Sequence, residues 1–416
     1  TSILTGMNVT HHGVTNWTSP VKNNTTDAKD AQFNPAPWKI NGVEINSITT
    51  YPQILKQAGY YTIHVGKAHW GSAGTPMSNP LNLGFMVNIS GHAAGHPQSY
   101  YGKDNYGNIP GKSTYQSVPD LMNYHGSDTN LTEALTLEAI KSLEEPIRLK
   151  MPFYLNMAHY AVHVPIQPDV RFYQSYLDEG LDTANAKYAS MVASMDKSLG
   201  DIMKYLTDKN IANNTIIIFM SDNGGLSLSG ARGKIAHVQN LPLRAGKGSM
   251  YEGGIRVPMI VKWPEVVKSN SNIHQYVIAE DFFPSILAMA GVSNFKTIQK
   301  VDGKSFVPLL KNNKITDTNR VLVWHYPNKW VDGDGPAINY KSAIRQGKWK
   351  LIYDLRNGHK ELYNLSNDIG EHIDLSMQQP AKTKQLTTQL KEILEKNNAP
   401  MPSYKINSKK VEILID

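Results

Sequence analysis

The stretch TIIIFMSDNGG, residues 215–225, decides the fold. Its first seven residues, Thr215 to Ser221, form a continuous apolar run rich in β-branched side chains, too short for a helix and lacking polar alternation. That is the pattern of a strand buried on both faces. The run stops at Ser221-Asp222-Asn223-Gly224-Gly225, so turn residues sit at the carboxyl end of the strand, where ligands collect in α/β sheets. A carboxylate and an amide oxygen side by side suit a hard cation with oxygen ligands, such as calcium. On local sequence alone an Asx turn closed by glycine accounts for the same residues.

Similar apolar runs recur on both sides. YTIHV (61–65) follows a predicted helix over 47–60 that ends at Gly59, and PFYLNMA (152–158) and VPMIVKW (257–263) read as further strands. Helices are predicted over 129–145, 183–209 and 280–290, the last closed by Gly291. In the second of these, Tyr188, Met191, Val192, Met195, Leu199, Ile202, Met203 and Leu206 share one face, which reads as core. Residues 71–127 are polar and rich in Gly and Tyr. They are too long for a simple connection and read as a functional loop region. Helices alternating with short apolar runs argue for α/β layers. Beyond residue 320 the texture changes to short alternating strands (VLVWH, KSAIRQGKWKLIYDL, KELYNL) and a closing amphipathic helix over 378–396. The expected architecture is an α/β domain over 1–320 and a small C-terminal α+β domain with an antiparallel sheet over 321–416.

Composition narrows the function without fixing it. The 416 residues are 40% hydrophobic and 19% charged, a globular balance. The net charge of +7 is spread without Lys/Arg blocks, and no nucleic-acid motif is present. A mild basic excess favours at most an anionic substrate. With no cysteine there are no disulfides, thiolate metal sites or cysteine nucleophile. No apolar run reaches the ~18 residues of a membrane span. The chain opens on TSILTG, which reads as the inside of an element, so an N-terminal segment is expected to precede Thr1.

Three more strand-end segments carry chemistry. In GKAHWG (66–71) Lys67 and His69 are two apart on an extended segment and project the same way, toward a common anion. In HYAVHVP (159–165) His163 suits a general acid, with Pro165 stiffening its loop. In LRAGKGSMYEGGIRVP (243–258) Lys247 sits between glycines that let backbone approach a ligand. This is no phosphate-cradling loop, because it runs into a strand instead of a helix. Each segment alone is equally compatible with ordinary surface Lys and His residues.

In this order the four segments resemble the type I sulfatases of the alkaline phosphatase superfamily, and the resemblance spans essentially the whole chain. It implies an alkaline-phosphatase-like mixed sheet flanked by helices and the hydrolysis of sulfate esters. It implies Asp222 and Asn223 as ligands of one Ca2+, and Lys67 and Lys247 as ligands of sulfate. His163 would protonate the leaving alkoxide, and His69 would orient or assist the nucleophile. In the family that nucleophile is a formylglycine made from Cys or Ser in Cys/Ser-x-Pro-x-Arg. No such motif occurs here: Ser78-Asn79-Pro80 runs into Leu81-Asn82. The motif and the paired acidic calcium ligands are expected upstream of Thr1, and a molecule beginning at Thr1 is expected to be inactive. GHAAGHPQSYYGKDNYG (91–107) and the WHYP element at Trp324 resemble bacterial glycan sulfatases. That implies substrate contacts from His92, His96 and His325, a sulfated carbohydrate partner of galactose type, and a periplasmic or secreted location. The alternatives are a phosphodiesterase or phosphonate hydrolase of the same superfamily and a non-catalytic, truncated glycan-binding form. Oligomeric state is not legible.

Overall fold

Strands form where apolar runs are bounded by turn residues. The computed structural model describes residues 1–226, 240–330 and 337–416. Its strands are β1 (Phe33–Asn34), β2 (Tyr61–Gly66), β3 (Val87–Ile89), β4 (Phe153–Ala158), β5 (Ile217–Met220), β6 (Met259–Lys262), β7 (Val321–Tyr326), β8 (Lys341–Gln346), β9 (Trp349–Asp354), β10 (Lys360–Asn364) and β11 (Ser403–Tyr404). β2 is the centre of a parallel sheet in the order β3-β2-β4, with Ile63 opposite both Val87 and Leu155. It is buried on both faces, as a central parallel strand requires. The one polar ring inside it, His64, is satisfied locally: Asn156 Nδ2 donates to Nδ1 at 2.9 Å and Nε2 donates to the Gly66 carbonyl at 3.0 Å.

β5 and β6 form an antiparallel pair, Ile218 opposite Val261. β4 and β5 share the same two cores. Tyr154, Ile218 and Met220 pack on one side with Leu4, Tyr51 and Phe283, whereas Phe153, Leu155, Met157 and Ile217 pack on the other with Ile63, Leu131 and Leu135. Alternate side chains of both strands thus feed helices above and below one layer, and the architecture is α/β with mixed strand directions.

Three predicted elements are adjusted by their surroundings. The helix expected over 47–60 is Tyr51–Gln57, because Pro52 sits in its first turn and the Gln53 side chain accepts the Thr50 N–H at 2.9 Å. The long helix is Thr183–Asp208, opened by the Asp182 carboxylate, which accepts from the N–H groups of Ala184 and Asn185. Its fully buried line is Ala186, Ser190, Ser194 and Ser198 with Met191 and Leu206, while Val192 is exposed. Small residues bring it close to the Leu131–Ser142 helix, where the Thr136 hydroxyl donates to Ser198 Oγ at 2.6 Å. The methionine stripe is therefore the flank of the contact. The region 71–127 is ordered by short 3-10 turns and by Tyr100, Tyr106, Val118 and Leu121, which enter the second core.

The C-terminal sheet is antiparallel in the order β10-β9-β8-β7, covered by the Pro380–Lys396 helix through Leu386, Leu390 and Leu394. Phe33 joins that core, and β1 pairs with β11 (Phe33 with Tyr404). An early segment is thus stitched into the small domain across the predicted boundary at 320. Among the described residues no helix is long and apolar enough to cross a membrane.

Candidate active site

The site is built on backbone that tolerates no side chain at two glycines. At Gly66, the last residue of β2, φ is +99° and a Cβ would lie 1.9 Å from the Ala158 carbonyl oxygen at the end of β4. The next residue, Lys67, donates its N–H to the same carbonyl at 2.7 Å, so it emerges where the two parallel strands end. After β5, the Gly224 N–H donates to the Gly254 carbonyl at 3.0 Å, and a Cβ there would meet the Gly253 oxygen at 1.7 Å. The Lys247 N–H donates to the Gly225 carbonyl at 3.0 Å. The DNGG and GKGSMYEGG segments are thereby laced together. The Lys67 ammonium comes close enough to act on Lys247, and Lys67 Nζ lies 3.6 Å from Asp222 Oδ2.

Among the described residues the cluster is short of negative charge. Burial first, and then the Lys67 ammonium, lower Lys247 to about 8, with Asp222 opposing. His163 is lowered to about 3 by burial, then by Lys247 and Lys67. His69 is lowered to about 4 by burial and Lys67, with a smaller effect from Lys247 and partial recovery from the Thr18 carbonyl. The carboxylate acting on this group is Asp222, whose side chain is 70% exposed. Partial burial of like charges with so weak a counter-charge raises the affinity of the pocket for an anion.

Both histidines are neutral at pH 7, which makes their tautomers informative. His69 lies 2.8 Å from the Thr18 carbonyl through Nε2, so the proton is on Nε2 and the Nδ1 lone pair is available as a base. Its ring packs on Gly95, where a Cβ would approach Nδ1 to 2.5 Å. His163 stands on the loop after β4. Its N–H donates to the Tyr160 carbonyl and its carbonyl accepts from the Tyr100 hydroxyl, both at 2.9 Å. Its ring stacks on His96 at 5.4 Å with the planes 9° apart. Lys67, His69, His96, His163, Lys247 and Asp222 thus converge.

Two predicted substrate contacts are otherwise engaged. His92 shares Nδ1 with the Tyr160 hydroxyl and the Ser90 carbonyl, and its Nε2 bonds the Tyr115 carbonyl at 3.1 Å. It braces the 91–107 loop. His325 is corrected outright. It is buried in β7, with Nδ1 on Ser342 Oγ at 2.8 Å and Nε2 on the Pro400 carbonyl at 2.7 Å, so no ring nitrogen is left for a sugar hydroxyl. Period-two alternation along β7 points His325 into the small-domain core with Val323.

Asp222 and Asn223 present oxygen donors, the ligand type a hard cation takes, and the exposed Asp222 carboxylate lies 3.6 Å from the Lys67 ammonium. The donors fit calcium in kind and supply two of the roughly six to eight oxygens such an ion takes. Among the described residues no group of three or more His, Cys, Asp or Glu side chains forms a metal cage.

Sequence reading missed Glu252. Its carboxylate is buried and accepts from Lys350 Nζ at 2.9 Å, Arg345 at 3.1 Å and Arg256 at 3.3 Å, while its N–H donates to Glu371 Oε2 at 2.6 Å. It pins the Lys247 segment to the C-terminal sheet. Lys350, a lysine in the middle of the apolar run WKLIYD, was the available signal.

Known proteins resemble this chain along most of its length. A family model described as Sulfatase matches residues 1–292, and one described as N-sulphoglucosamine sulphohydrolase, C-terminal, matches residues 245–399. A sulfatase of Formosa agariphila is 29% identical over 407 residues, covering 86% of this chain and 72% of that protein. Human N-acetylgalactosamine-6-sulfatase is 30% identical over 308 residues, covering 72% of this chain. The chain spans only about half (55%) of that human protein's length. The crystal structure of Ps i-CgsB in complex with k-i-k-neocarrahexaose superposes with a TM-score of 0.73 at 25% identity, covering 95% of this chain and 81% of the other.

Proposed function

The chain belongs to the sulfatase family, and on that premise we propose that its pocket hydrolyses a sulfate monoester carried by a carbohydrate, of galactose type. The observation that carries this reading is the pair Lys67 and Lys247 converging with His163 and His69, against which Asp222 is the carboxylate among the described residues. A sulfate monoester carries a single negative charge on tetrahedrally arranged oxygens, which two ammonium groups approach from different sides. Their attraction grows as charge develops on those oxygens and on the bridging oxygen in the transition state. When bound, calcium supplies Lewis-acid polarisation of a sulfate oxygen, and Asp222 and Asn223 are the residues that would hold it.

His163 is the acid toward the leaving alkoxide. Held near 3, it is neutral until the pocket fills. An anion that offsets Lys67 and Lys247 raises the imidazole pKa and lets it carry the proton it must deliver. His69, with its proton fixed on Nε2 by Thr18, uses Nδ1 to orient or deprotonate the attacking group. No residue of the 416 matches the family's formylglycine motif, so the nucleophilic step is assigned to none of them.

The galactose preference draws support from the human relative's name, which specifies N-acetylgalactosamine 6-sulfate chemistry. Stacked His96 and His163 form a flat wall suited to a sugar face. A periplasmic or secreted location follows from the same family reading. The test is sulfate release by the full-length gene product from N-acetylgalactosamine 6-sulfate, galactose 6-sulfate and glucose 6-sulfate, beside a phosphodiester control. Galactose-type esters are expected to lead. Faster release from the glucose ester overturns the sugar assignment, and faster phosphodiester hydrolysis overturns the sulfatase reading. Cell fractionation checks the location.

A further inference from the structure

We propose that the cavity between the C-terminal sheet and the 274–276 and 316–320 segments is a second, non-catalytic site for an anionic saccharide. The cavity is about 580 Å³, enough for a sugar ring with its substituents. At its lining lies Arg345 of β8, which is only 3% exposed. Two sides of its guanidinium are committed. Nε donates to the Gly347 carbonyl at 3.2 Å, and Nη1 donates to Glu252 Oε2 at 3.1 Å. Among the described residues the buried Nη2 meets no hydrogen-bond acceptor at bonding geometry, and the Tyr276 ring lies against the guanidinium. A buried guanidinium donor left unmade is costly, and it is the feature of this wall that asks for an acceptor.

The surrounding charges agree. Arg320 and Asp317 also line the cavity, but each is already paired, Arg320 with Asp281 and Asp317 with Lys304 at 3.5 Å. Among the described residues Lys348 and Lys382, both in the lining, have no carboxylate partner, and Lys382 is held by the Gln385 amide at 2.7 Å. Deeper in, Arg345, Lys350 and Arg256 are engaged by Glu252, and Lys350 also by Glu371. Two rings complete the site. Tyr276 lies face-on to the Arg345 guanidinium at 3.2 Å, and Trp349 has the Lys348 ammonium 5.6 Å from its ring centre. A buried guanidinium donor, two ammonium groups without a carboxylate and an indole ring in one lining match an acid group, sulfate or carboxylate, on a ring whose apolar face stacks on Trp349. None of these residues belongs to the Lys67–Lys247 cluster.

The test measures binding without turnover, in protein carrying Lys67→Ala and Lys247→Ala so that the catalytic pocket is disabled. Its failure therefore leaves the sulfatase reading untouched. Isothermal titration is run with a sulfated galactan hexasaccharide, a galacturonate hexasaccharide, a neutral galactan hexasaccharide and inorganic sulfate. One of the two acidic hexasaccharides is expected to bind, and which one identifies the acid group. Trp349→Ala and Lys348→Ala, both toward the surface, are each expected to weaken binding about tenfold. Arg345→Lys keeps the charge facing Glu252 but removes the fork, and it is expected to weaken binding while the thermal midpoint holds. Equal binding of the neutral hexasaccharide, inorganic sulfate binding as tightly as the saccharides, or indifference to Trp349→Ala and Lys348→Ala overturns the proposal.

Discussion

Two clusters of buried or half-buried cations lie at either end of one short segment, GKGSMYEGG, and they are treated in opposite ways. At Glu252 the cations are matched. Lys350, fully buried, lies 2.9 Å from Glu252 and 2.8 Å from Glu371, and Arg345 and Arg256 close on the same carboxylate. Five residues earlier, Lys247 meets Lys67, His69 and His163, with one exposed carboxylate, Asp222, against them among the described residues. Matched charge holds a segment in place, whereas unmatched charge is potential held in reserve for a ligand. The first cluster makes the second possible, because a lysine held by a well-anchored backbone cannot relax away from its like-charged neighbour.

The sharpest way to break the contrast is at Lys350. Lys350→Met takes from Glu371 its ion-pair cation and from Glu252 one of three, and a loss of about 3–5 kcal/mol in unfolding free energy is expected by urea titration. A loss under ~1 kcal/mol would mean that the matched cluster anchors nothing. Lys247→Met is expected to do the reverse. Sulfate release by the full-length protein falls by roughly 10²–10³-fold, as for loss of a group that stabilises transition-state charge, while stability is unchanged or raised. A destabilisation comparable to that of Lys350→Met would erase the distinction.

The pH dependence sharpens it further. Lys247 is lowered from its ordinary 10.5 to about 8, so the folded state disfavours its proton. The penalty is fully present below pH 8 and is relieved as pH rises toward 10.5. Relative to Lys247→Met, unfolding free energy is therefore expected to rise over that window. Over the same window sulfate affinity is expected to fall, by up to about tenfold per pH unit, as the ammonium is lost. Both slopes pointing the same way would contradict the assignment. The smallest expected effect is on His163. Its imidazole NMR signals are expected to titrate near 3 without ligand and to move upward by about one unit in saturating sulfate. A pKa indifferent to sulfate would separate His163 from the anion pocket.

Much of this was legible along the chain. Strand β5 and the turn after it follow from an apolar run meeting Ser221-Asp222-Asn223-Gly224-Gly225. Lys247 stands out because glycines flank it, and Lys67 because it lies two residues from His69 at a strand end. The role of Glu252 was not legible, since its partners Arg345, Lys350 and Glu371 lie about a hundred residues away. His325 misled for the opposite reason. Its neighbourhood resembles a substrate loop, but strand alternation and the Pro400 carbonyl turn it inward. The methionine stripe of the 183–208 helix was a correct amphipathic face that missed the closest contact, because serines allow an approach that methionines do not.

By itself the sequence determined what short-range sterics determine: where strands run, where they stop, and which glycines let backbones cross at Gly66 and Gly224. Only the tertiary structure decided charge balance. Whether a buried lysine is an anchor or a ligand depends on which carboxylates the fold brings within about 4 Å of it. For Lys350 and Lys247 those partners come from distant parts of the chain, and no local pattern announces them.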